Sequence, residues 1–209
     1  MDSKLVEGYP LQVLKLDRIC NRNNNRIYMQ KKIKIKRVGE VSDYIERLYV
    51  ESFPADERRP LDEWRRLIGE GRTQLYEVMA DGETVGFITV WDLGDIAYGE
   101  HFAIDPSLRG AGIGGKVFDE VVAAVTAVVK PMLLEVEMPE SSREAERRIG
   151  FYERHGFHVL KGYDYVQPAY SAELSPLPML LMSDREVDPA HAAAKLRREV
   201  YGCKEGSDK

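Results

Sequence analysis

The chain has 209 residues, of which 44% are hydrophobic and 31% charged, so it is long enough to bury the core of one large domain. Two cysteines and no cysteine–histidine cluster argue against a disulfide scaffold and a structural zinc site. The longest apolar run is far short of the about 20 residues that span a bilayer, and the N-terminus lacks the apolar segment of a signal peptide. We therefore expect a cytoplasmic protein with no membrane partner and no bound metal.

Charge is distributed unevenly along the chain. Residues 1–37 hold ten Lys/Arg and three Asp/Glu, whereas the remainder holds 20 Lys/Arg and 32 Asp/Glu. A basic segment can bind nucleic acid, but a solvated arm explains it more simply, and we expect no nucleic-acid partner. The acidic remainder favours a cationic small substrate.

Composition divides the chain into three parts. Residues 1–30 contain the polar cluster Asn21–Asn25, so we predict a poorly ordered appendage there. Apolar and polar residues begin to alternate at Ile33, which predicts a domain over 31–183. A C-terminal helix and tail are predicted over 184–209, because Asp188-Pro189 supplies an N-cap and a first-turn proline.

Periodicity and turn signals predict the elements of the domain in chain order. Asp81-Gly82 indicates a hairpin, and Gly156 indicates the end of a helix. The predicted strands cover about 33–38, 75–80, 84–91, 97–104, 132–137, 159–165 and 179–182, and the predicted helices cover about 42–53, 61–70, 110–129, 141–155 and 189–201. A single strand–helix–strand unit follows an antiparallel meander. This order predicts a mixed α/β (α+β) fold, a mostly antiparallel sheet of about seven strands with helices on both faces.

A glycine-rich segment, Arg109–Lys116, follows the fourth strand and opens a helix. Its glycines allow a close backbone approach, and the unpaired N–H groups of a helix N-terminus attract anions. The segment therefore predicts a phosphate-binding loop. A tight turn without any ligand is the plain alternative.

Two nucleotide-binding motifs match this segment only in part. The spacing Gly110-x-Gly112-x-x-Gly115, with Glu135 20 residues further on, fits a dinucleotide fingerprint. That fold needs more than one strand–helix–strand unit, which disfavours it. A P-loop needs Ser or Thr where this chain has Val117, so a P-loop is disfavoured as well.

Two longer motifs together resemble those of the GNAT superfamily of CoA-dependent N-acetyltransferases. The first is Ala103–Gly114 with the sequence AIDPSLRGAGIG, and the second is Gly150–Phe157 with the sequence GFYERHGF. Leu133–Val136 is similar to the fifth strand of that family. The resemblance covers about residues 32–182 and implies a GNAT-like fold.

The resemblance implies that acetyl-CoA is the co-substrate. Backbone N–H groups of the loop would hold its pyrophosphate, and the preceding strand would pair with its pantetheine arm. The residues assigned to the cofactor in this way are Phe102, Ala103, Ile104, Arg109, Gly110, Ala111, Gly112, Ile113, Gly114 and Gly115. Two positions depart from the family pattern, Ala145 where Asn is common and Glu137 where Arg is common. Some side-chain contacts to the cofactor must therefore differ.

Acetylation of an amine requires groups that accept and donate protons. An alkylamine has a pKa of about 10.4, so a base must take up its proton near neutral pH. The resemblance implies that Tyr152 protonates the leaving thiolate, and that either Glu100 or Glu135 is the base. Period two places Tyr98, Phe102 and Ile104 on the face of Glu100, and His101 on the opposite face.

The acceptor is predicted less closely. The resemblance places Phe53, Glu57 and Tyr170 where the family binds acceptors, and Glu57 suits a cationic amine. The leading interpretation is an N-acetyltransferase that moves an acetyl group to a primary amine of a small molecule or peptide by direct attack. The alternatives are a non-catalytic CoA-binding or regulatory module and a nicotinamide-dependent oxidoreductase. We expect a monomer or homodimer.

Overall fold

The computed structural model describes residues 32–108, 113–125 and 130–203. The predicted appendage 1–30 and residues Arg109–Gly112 of the predicted phosphate-binding loop lie outside this part of the chain. Across the described residues, no helix is both long and apolar enough to traverse a membrane.

The centre of the fold is one twisted sheet. Its strands are β1 (Ile33–Val38), β2 (Gln74–Ala80), β3 (Glu83–Asp92), β4 (Ala97–Ile104), β5 (Met132–Glu137), β6 (His158–Val159), β7 (Tyr165–Gln167) and β8 (Leu177–Ser183). In the described part of the chain the spatial order is β1-β2-β3-β4-β5-β8-β6, and β7 also pairs with β8. The β4–β5 pair is parallel and the other pairs are antiparallel. The predicted mixed, mostly antiparallel α/β sheet is confirmed.

Helices cover both faces of the sheet, as predicted. They are α1 (Asp43–Ser52), α2 (Leu61–Gly69), α3 (Ile113–Val125), α4 (Arg143–Arg154) and α5 (Pro189–Lys195), with a 3-10 turn at Pro106–Leu108 and a π-helical turn at Leu196–Val200. On one face, Phe118 of α3 and Tyr152 of α4 pack against the strands. On the other face, α1 and α2 cover β2–β4, and α5 packs beside β5 and β8 through Ala193 and Leu196.

Local sequence signals explain most element boundaries. Asp81 and Gly82 both adopt positive φ, as the predicted hairpin requires, and Gly156 does so directly after α4. The predicted strand over 159–165 is wrong, because the chain turns between β6 and β7 with Gly162 at φ 82°. Over the described residues the sheet therefore has eight strands, where about seven were predicted. The N-cap of α4 is Ser142, whose hydroxyl accepts from the amide of Ala145.

A β-bulge in β4 changes which residues face the helices. His101 pairs with Thr89 and Gly99 pairs with Val90, so Glu100 is an extra residue in β4. The bulge reverses the alternation of side chains beyond it. Phe102 therefore packs in the α3–α4 core, and Glu100 and His101 share the α1–α2 face, where Oε2 of Glu100 lies 3.7 Å from Nδ1 of His101.

Two expectations about β4 are wrong for this reason. Phe102 and Ile104 do not share the face of Glu100, and His101 does not point away from Glu100. Strict period two fails wherever a strand carries an inserted residue.

Candidate active site

The parallel strands β4 and β5 separate in the middle of the sheet. Their pairs in the described chain run from Ala97 and Met132 to Gly99 and Leu134. The next residue of each strand is a glutamate, Glu100 on β4 and Glu135 on β5. The side chain of Glu100 is fully buried, yet the residue as a whole is partly exposed. The exposed part of Glu100 is therefore its main chain, at the point where β4 parts from β5.

Glu100 lies in a buried ion pair. Its Oε1 accepts from Nε of Arg59 at 2.8 Å, and its Oε2 accepts from Nε1 of Trp91 at 2.8 Å. Burial by itself would raise the pKa of Glu100, but the charge of Arg59 and the hydrogen bonds from Trp91 and Arg59 outweigh it, and the pKa lies below its usual value. Glu100 is therefore a carboxylate that is held ionised.

Glu135 has a different environment, made of three tyrosine hydroxyls. Tyr165 donates to Oε1, and Tyr98 and Tyr201 donate to Oε2, the last at 2.6 Å. Burial raises the pKa of Glu135 above its usual value, although these three donors oppose the change. A carboxylate that is surrounded by neutral donors takes up a proton more readily than one that is paired with an arginine.

A pair of tyrosines joins the two carboxylates. The hydroxyl of Tyr170 lies 3.3 Å from Oε1 of Glu100 and 3.4 Å from the hydroxyl of Tyr201, which donates to Glu135. The guanidinium of Arg59 lies over the rings of both tyrosines, 4.8 Å and 5.7 Å from their centroids. The structure thus brings together three of the predicted site residues, Glu100, Glu135 and Tyr170, in one connected network.

Tyr152 lies on the opposite face of the sheet from these carboxylates. Its ring packs 5.2 Å from that of Phe118, in the core beneath α3 and α4. Burial raises the pKa of Tyr152 to about 12, with Arg148 lowering it and Glu137 raising it. The hydroxyl is therefore protonated at neutral pH and suited to donate a proton.

The residues predicted to bind the cofactor are only partly within the described chain. Ala103 packs toward α1, and Phe102 and Ile104 pack toward α3. Gly114 and Gly115 lie in the first turn of α3, which Ile113 begins. The remaining four residues of the prediction, Arg109, Gly110, Ala111 and Gly112, lie outside the described residues.

Gly115 makes a close approach to α4. A Cβ atom there would lie 2.9 Å from the imidazole of His155, whose Nδ1 is 2.5 Å from Oδ1 of Asp119. A separation of 2.9 Å between this Cβ atom and the imidazole is shorter than ordinary van der Waals contact. Glycine at this position therefore lets the histidine cover the start of α3.

An open cleft of about 530 Å³ lies at the end of β5. Its lining includes Glu57, the turn from Glu137 to Ser142, and the first residues of β8. Arg148 pairs with Glu137. Burial and the charge of Glu137 raise the pKa of Glu57, while Arg148 lowers it. The cleft carries more acidic than basic groups.

The predicted acceptor residues meet around His101. The ring of His101 lies 4.8 Å from that of Phe53 and 6.2 Å from that of Tyr170, and its Nε2 is 3.3 Å from the backbone oxygen of Glu57. Burial lowers the pKa of His101, although Glu100 opposes this. A neutral imidazole therefore donates to Glu57 and fixes the loop that lines the cleft.

Sequence reasoning missed several residues of the network. Sequence reasoning did not place Arg59 beside Glu100, yet its side chain pairs with Glu100 and donates to the backbone oxygen of Val200 at 2.9 Å. Trp91 and Tyr201 were not predicted, because each resembles an ordinary core or terminal aromatic residue, and Tyr98 was predicted to share the face of Glu100 but not to contact Glu135. The sequence feature that indicated this network was the pair of glutamates, Glu100 and Glu135, on adjoining strands.

Comparison with known proteins agrees with this geometry. A family model described as Acetyltransferase (GNAT) domain matches residues 71–159. The chain is 35% identical to a protein from Bacteroides thetaiotaomicron described as a GNAT-family acetyltransferase, with a TM-score of 0.74, over 82% of this chain and 99% of that one. A comparison with curated proteins gives no match.

Two more distant structures share the fold. One is an acetyltransferase from Bacillus subtilis in complex with CoA, 13% identical over 75% of this chain and 100% of that one, with a TM-score of 0.54. The other is a GNAT-family acetyltransferase from Elizabethkingia anophelis with acetyl-CoA bound, 13% identical over 72% and 96%, with a TM-score of 0.52.

The chain belongs to the GNAT family of acetyltransferases. The identity and coverage of the Bacteroides thetaiotaomicron protein establish this, and the family model agrees. The resemblance inferred from the two sequence motifs is confirmed, as is the GNAT-like fold.

Proposed function

We propose that this protein transfers an acetyl group from acetyl-CoA to a primary amine of a small molecule or peptide, by direct attack. The observation that carries the proposal is the separation of β4 from β5 directly before Glu100 and Glu135. Main-chain groups of β4 are exposed there, as the pairing of a pantetheine arm requires. A thioester in this gap would lie beside two carboxylates and above Tyr152.

The reaction forms a C–N bond and breaks a C–S bond. An alkylammonium ion loses one proton before attack and a second as the tetrahedral intermediate collapses. The leaving thiolate takes up one proton, and one is released to solvent. The enzyme therefore needs a group that accepts protons on the amine side and a group that donates on the thiolate side.

Of the two candidate bases, we propose that Glu135 accepts the proton of the amine. Glu100 accepts from Arg59 and Trp91 and is held ionised, which makes it a weak base. Glu135 has only neutral hydroxyl partners, and its raised pKa is better matched to proton transfer near neutral pH. In this proposal Glu100 fixes the position of Arg59 and the tyrosines, and the proton reaches Glu135 directly or through water.

We propose that Tyr152 donates the proton that the leaving thiolate takes up. Its hydroxyl is on the α4 side of the sheet, so acid and base act from opposite faces of the gap. A pKa of about 12 keeps it protonated until the thiolate leaves. The main chain of β4 at Phe102–Ile104 and the predicted loop from Arg109 to Gly115 are proposed to hold the cofactor.

The proposed acceptor is a cationic amine that enters through the cleft at the end of β5. Glu57, Glu137 and Glu140 surround the cleft with negative charge. Phe53 and Tyr170 would contact the aliphatic part of the acceptor near His101. Cytoplasmic location, monomeric or homodimeric state, and the absence of nucleic-acid, membrane and metal partners stay predictions from the sequence.

The first experiment compares thermal unfolding with acetyl-CoA, NAD and ATP-magnesium. Binding at 100 times the dissociation constant adds about 2.7 kcal/mol, a rise in Tm of roughly 5–10 °C for this size. Release of free CoA thiol is then measured with butylamine, 1,4-diaminobutane and a short peptide. We expect a shift with acetyl-CoA and thiol release that depends on the amine. A shift with NAD alone, or binding without release for every amine class, would contradict the proposal.

A further inference from the structure

The C-terminal segment supplies a side chain to the carboxylate network. After the turn Leu196–Val200, the hydroxyl of Tyr201 lies 2.6 Å from Oε2 of Glu135. This residue belongs to the segment 184–209, beyond the strands and helices that carry the two sequence motifs. Its contact with Glu135 spans 66 residues of sequence.

Several contacts fix Tyr201 in place. Its backbone N–H donates to the oxygen of Leu196 at 3.1 Å, and the carbonyl of Val200 accepts from Nη2 of Arg59 at 2.9 Å. The ring lies 5.4 Å from that of Tyr170. The backbone before Tyr201 and the ring of Tyr201 thus contact the same arginine that pairs with Glu100.

The hydroxyl hydrogens of this network have two arrangements. Tyr170 has a single O–H and two acceptors within reach, Glu100 at 3.3 Å and the hydroxyl of Tyr201 at 3.4 Å. When it donates to Tyr201, the donors align toward Glu135. When Tyr170 donates to Glu100, Tyr201 still donates to Glu135 but no longer accepts a hydrogen bond from Tyr170. Hydrogen bonds in such a chain strengthen one another.

We propose that Tyr201 is a positioning residue that holds Glu135 in the orientation and protonation state needed to accept the amine proton, and that Tyr170 couples this to Glu100. The inference rests on the proposed function, since it concerns the base of that reaction. It assigns a role in the chemistry to a segment that follows the last strand of the sheet.

The groups that act on Glu135 come from several elements. They are Tyr98 and Glu100 on β4, Tyr165 on β7 and Tyr201 after α5. Behind them, Tyr170 in the β7–β8 connection and Arg59 before α2 each contact Glu100 and Tyr201. Tyr98, Tyr165 and Tyr201 stabilise the ionised carboxylate by donation, while burial and Glu100 oppose ionisation. Removal of one donor therefore raises the pKa of Glu135 further.

The test is Tyr201→Phe in the full chain, which keeps the ring and removes only the hydroxyl. The carboxyl carbon of Glu135 is followed against pH by NMR of protein labelled with ¹³C-glutamate, and Glu135→Gln identifies its resonance. We expect the midpoint to move up by about one pH unit, because one hydrogen bond to a charged acceptor is lost. Tyr163→Phe is the matched control, since its ring is exposed and stands outside the network.

Kinetics separate this inference from the proposed function. With acetyl-CoA and the most active amine of the panel, the acidic limb of kcat/KM is expected to move upward with the NMR midpoint. Turnover by the wild type with an unmoved limb and an unmoved midpoint in Tyr201→Phe would overturn the inference alone. Absence of turnover in the wild type would overturn the proposed function, while the NMR midpoint would still decide whether Tyr201 controls Glu135.

A double-variant cycle tests the coupling through Tyr170. Tyr170→Phe, Tyr201→Phe and the combined variant are compared by the NMR midpoint of Glu135. Direct contact of the two hydroxyls predicts that the shifts do not add, because the first substitution already interrupts the chain of donors. Additive shifts would show that Tyr170 and Tyr201 act separately and would remove the coupling from the proposal.

Discussion

Oε1 of Glu100 lies 2.8 Å from Nε of Arg59, and the two side chains are 0% and 3% exposed. The pair joins the loop before α2 to the point where β4 leaves β5. Because neither charge has access to bulk solvent, each depends on the other for compensation. This one contact therefore stabilises the fold and also determines the charge environment of the gap between β4 and β5.

This contact predicts the effect of removing the charge of Glu100. Glu100→Gln leaves Arg59 buried without a full counter-charge, and we expect a loss of about 3–5 kcal/mol in the free energy of unfolding. Urea denaturation measures it. Glu63→Gln removes the half-exposed second partner of Arg59 and should cost less than about 1 kcal/mol.

The double variant Glu100→Gln/Arg59→Met provides the further check. Replacing both charges leaves no uncompensated ion, so the combined loss should be smaller than the loss for Glu100→Gln alone. A combined loss equal to the sum of the single losses would mean that the two residues do not stabilise each other.

The two carboxylates predict opposite pH dependences of stability. The folded pKa of Glu100 lies below its unfolded value of about 4.3, so its contribution is present above that pH and is lost on acidification. The folded pKa of Glu135 lies above that value, so protonation of Glu135 in the folded state adds stability as the pH falls toward about 4.3.

Urea denaturation between pH 3 and pH 7 reads out both effects. The stability difference between wild type and Glu100→Gln should shrink as the pH falls below about 4.3. The difference between wild type and Glu135→Gln should move in favour of the wild type as the pH falls from neutral. If both differences changed in the same direction as the pH falls, the environments of the two glutamates would have been wrongly distinguished.

Tyr152→Phe tests the proposed acid. The ring keeps its packing against Phe118, so affinity for acetyl-CoA should stay within about twofold while kcat falls by about 10²-fold, as loss of a general acid implies. Isothermal titration and thiol-release kinetics give the two quantities. Equal loss of binding and turnover would identify Tyr152 as a packing residue instead.

Charge in the cleft predicts selectivity between amines. Glu57→Gln should raise KM for 1,4-diaminobutane by about fivefold, roughly 1 kcal/mol, and leave butylamine nearly unchanged, because only the diamine brings a second cation. Glu51→Gln, on the exposed side of α1, is the charge-matched control. A similar change in KM for both amines would place Glu57 away from the second ammonium group.

The order of the elements was predictable because turn residues and alternation mark each boundary. Asp81-Gly82, Gly156 and Asp188-Pro189 all adopt the roles that their local chemistry indicates. These signals depend on neighbouring residues alone, so one sequence is sufficient to interpret them.

The interior of the site was predictable only in part. Two glutamates on adjoining strands marked the place, but the bulge at Glu100 has no signature in an ordinary alternating segment. The partners of the carboxylates come from residues that are 41 and 66 positions away, for Arg59 and Tyr201 respectively. Such contacts depend on tertiary packing, which hydrophobic periodicity and secondary-structure propensity do not predict.

Gly86 provides the last prediction, because it supports the strand proposed to bind the cofactor. A Cβ there would lie 2.5 Å from both the backbone oxygen of Ala103 and the Cδ1 atom of Ile104. A Cβ at Gly99 would instead meet the ends of flexible side chains, with Cε of Met132 at 2.7 Å. Backbone yields less readily than a methionine tip, so Gly86→Ala should cost about 2–3 kcal/mol and Gly99→Ala about 1 kcal/mol.

The two variants should also differ in ligand binding. Gly86→Ala displaces β4 at Ala103 and Ile104, so we expect its affinity for acetyl-CoA to fall by about tenfold, whereas that of Gly99→Ala stays close to wild type. Denaturation in urea and titration with acetyl-CoA test both statements on the same samples. Unchanged acetyl-CoA affinity in a destabilised Gly86→Ala would mean that the position of β4 at these residues does not govern cofactor binding.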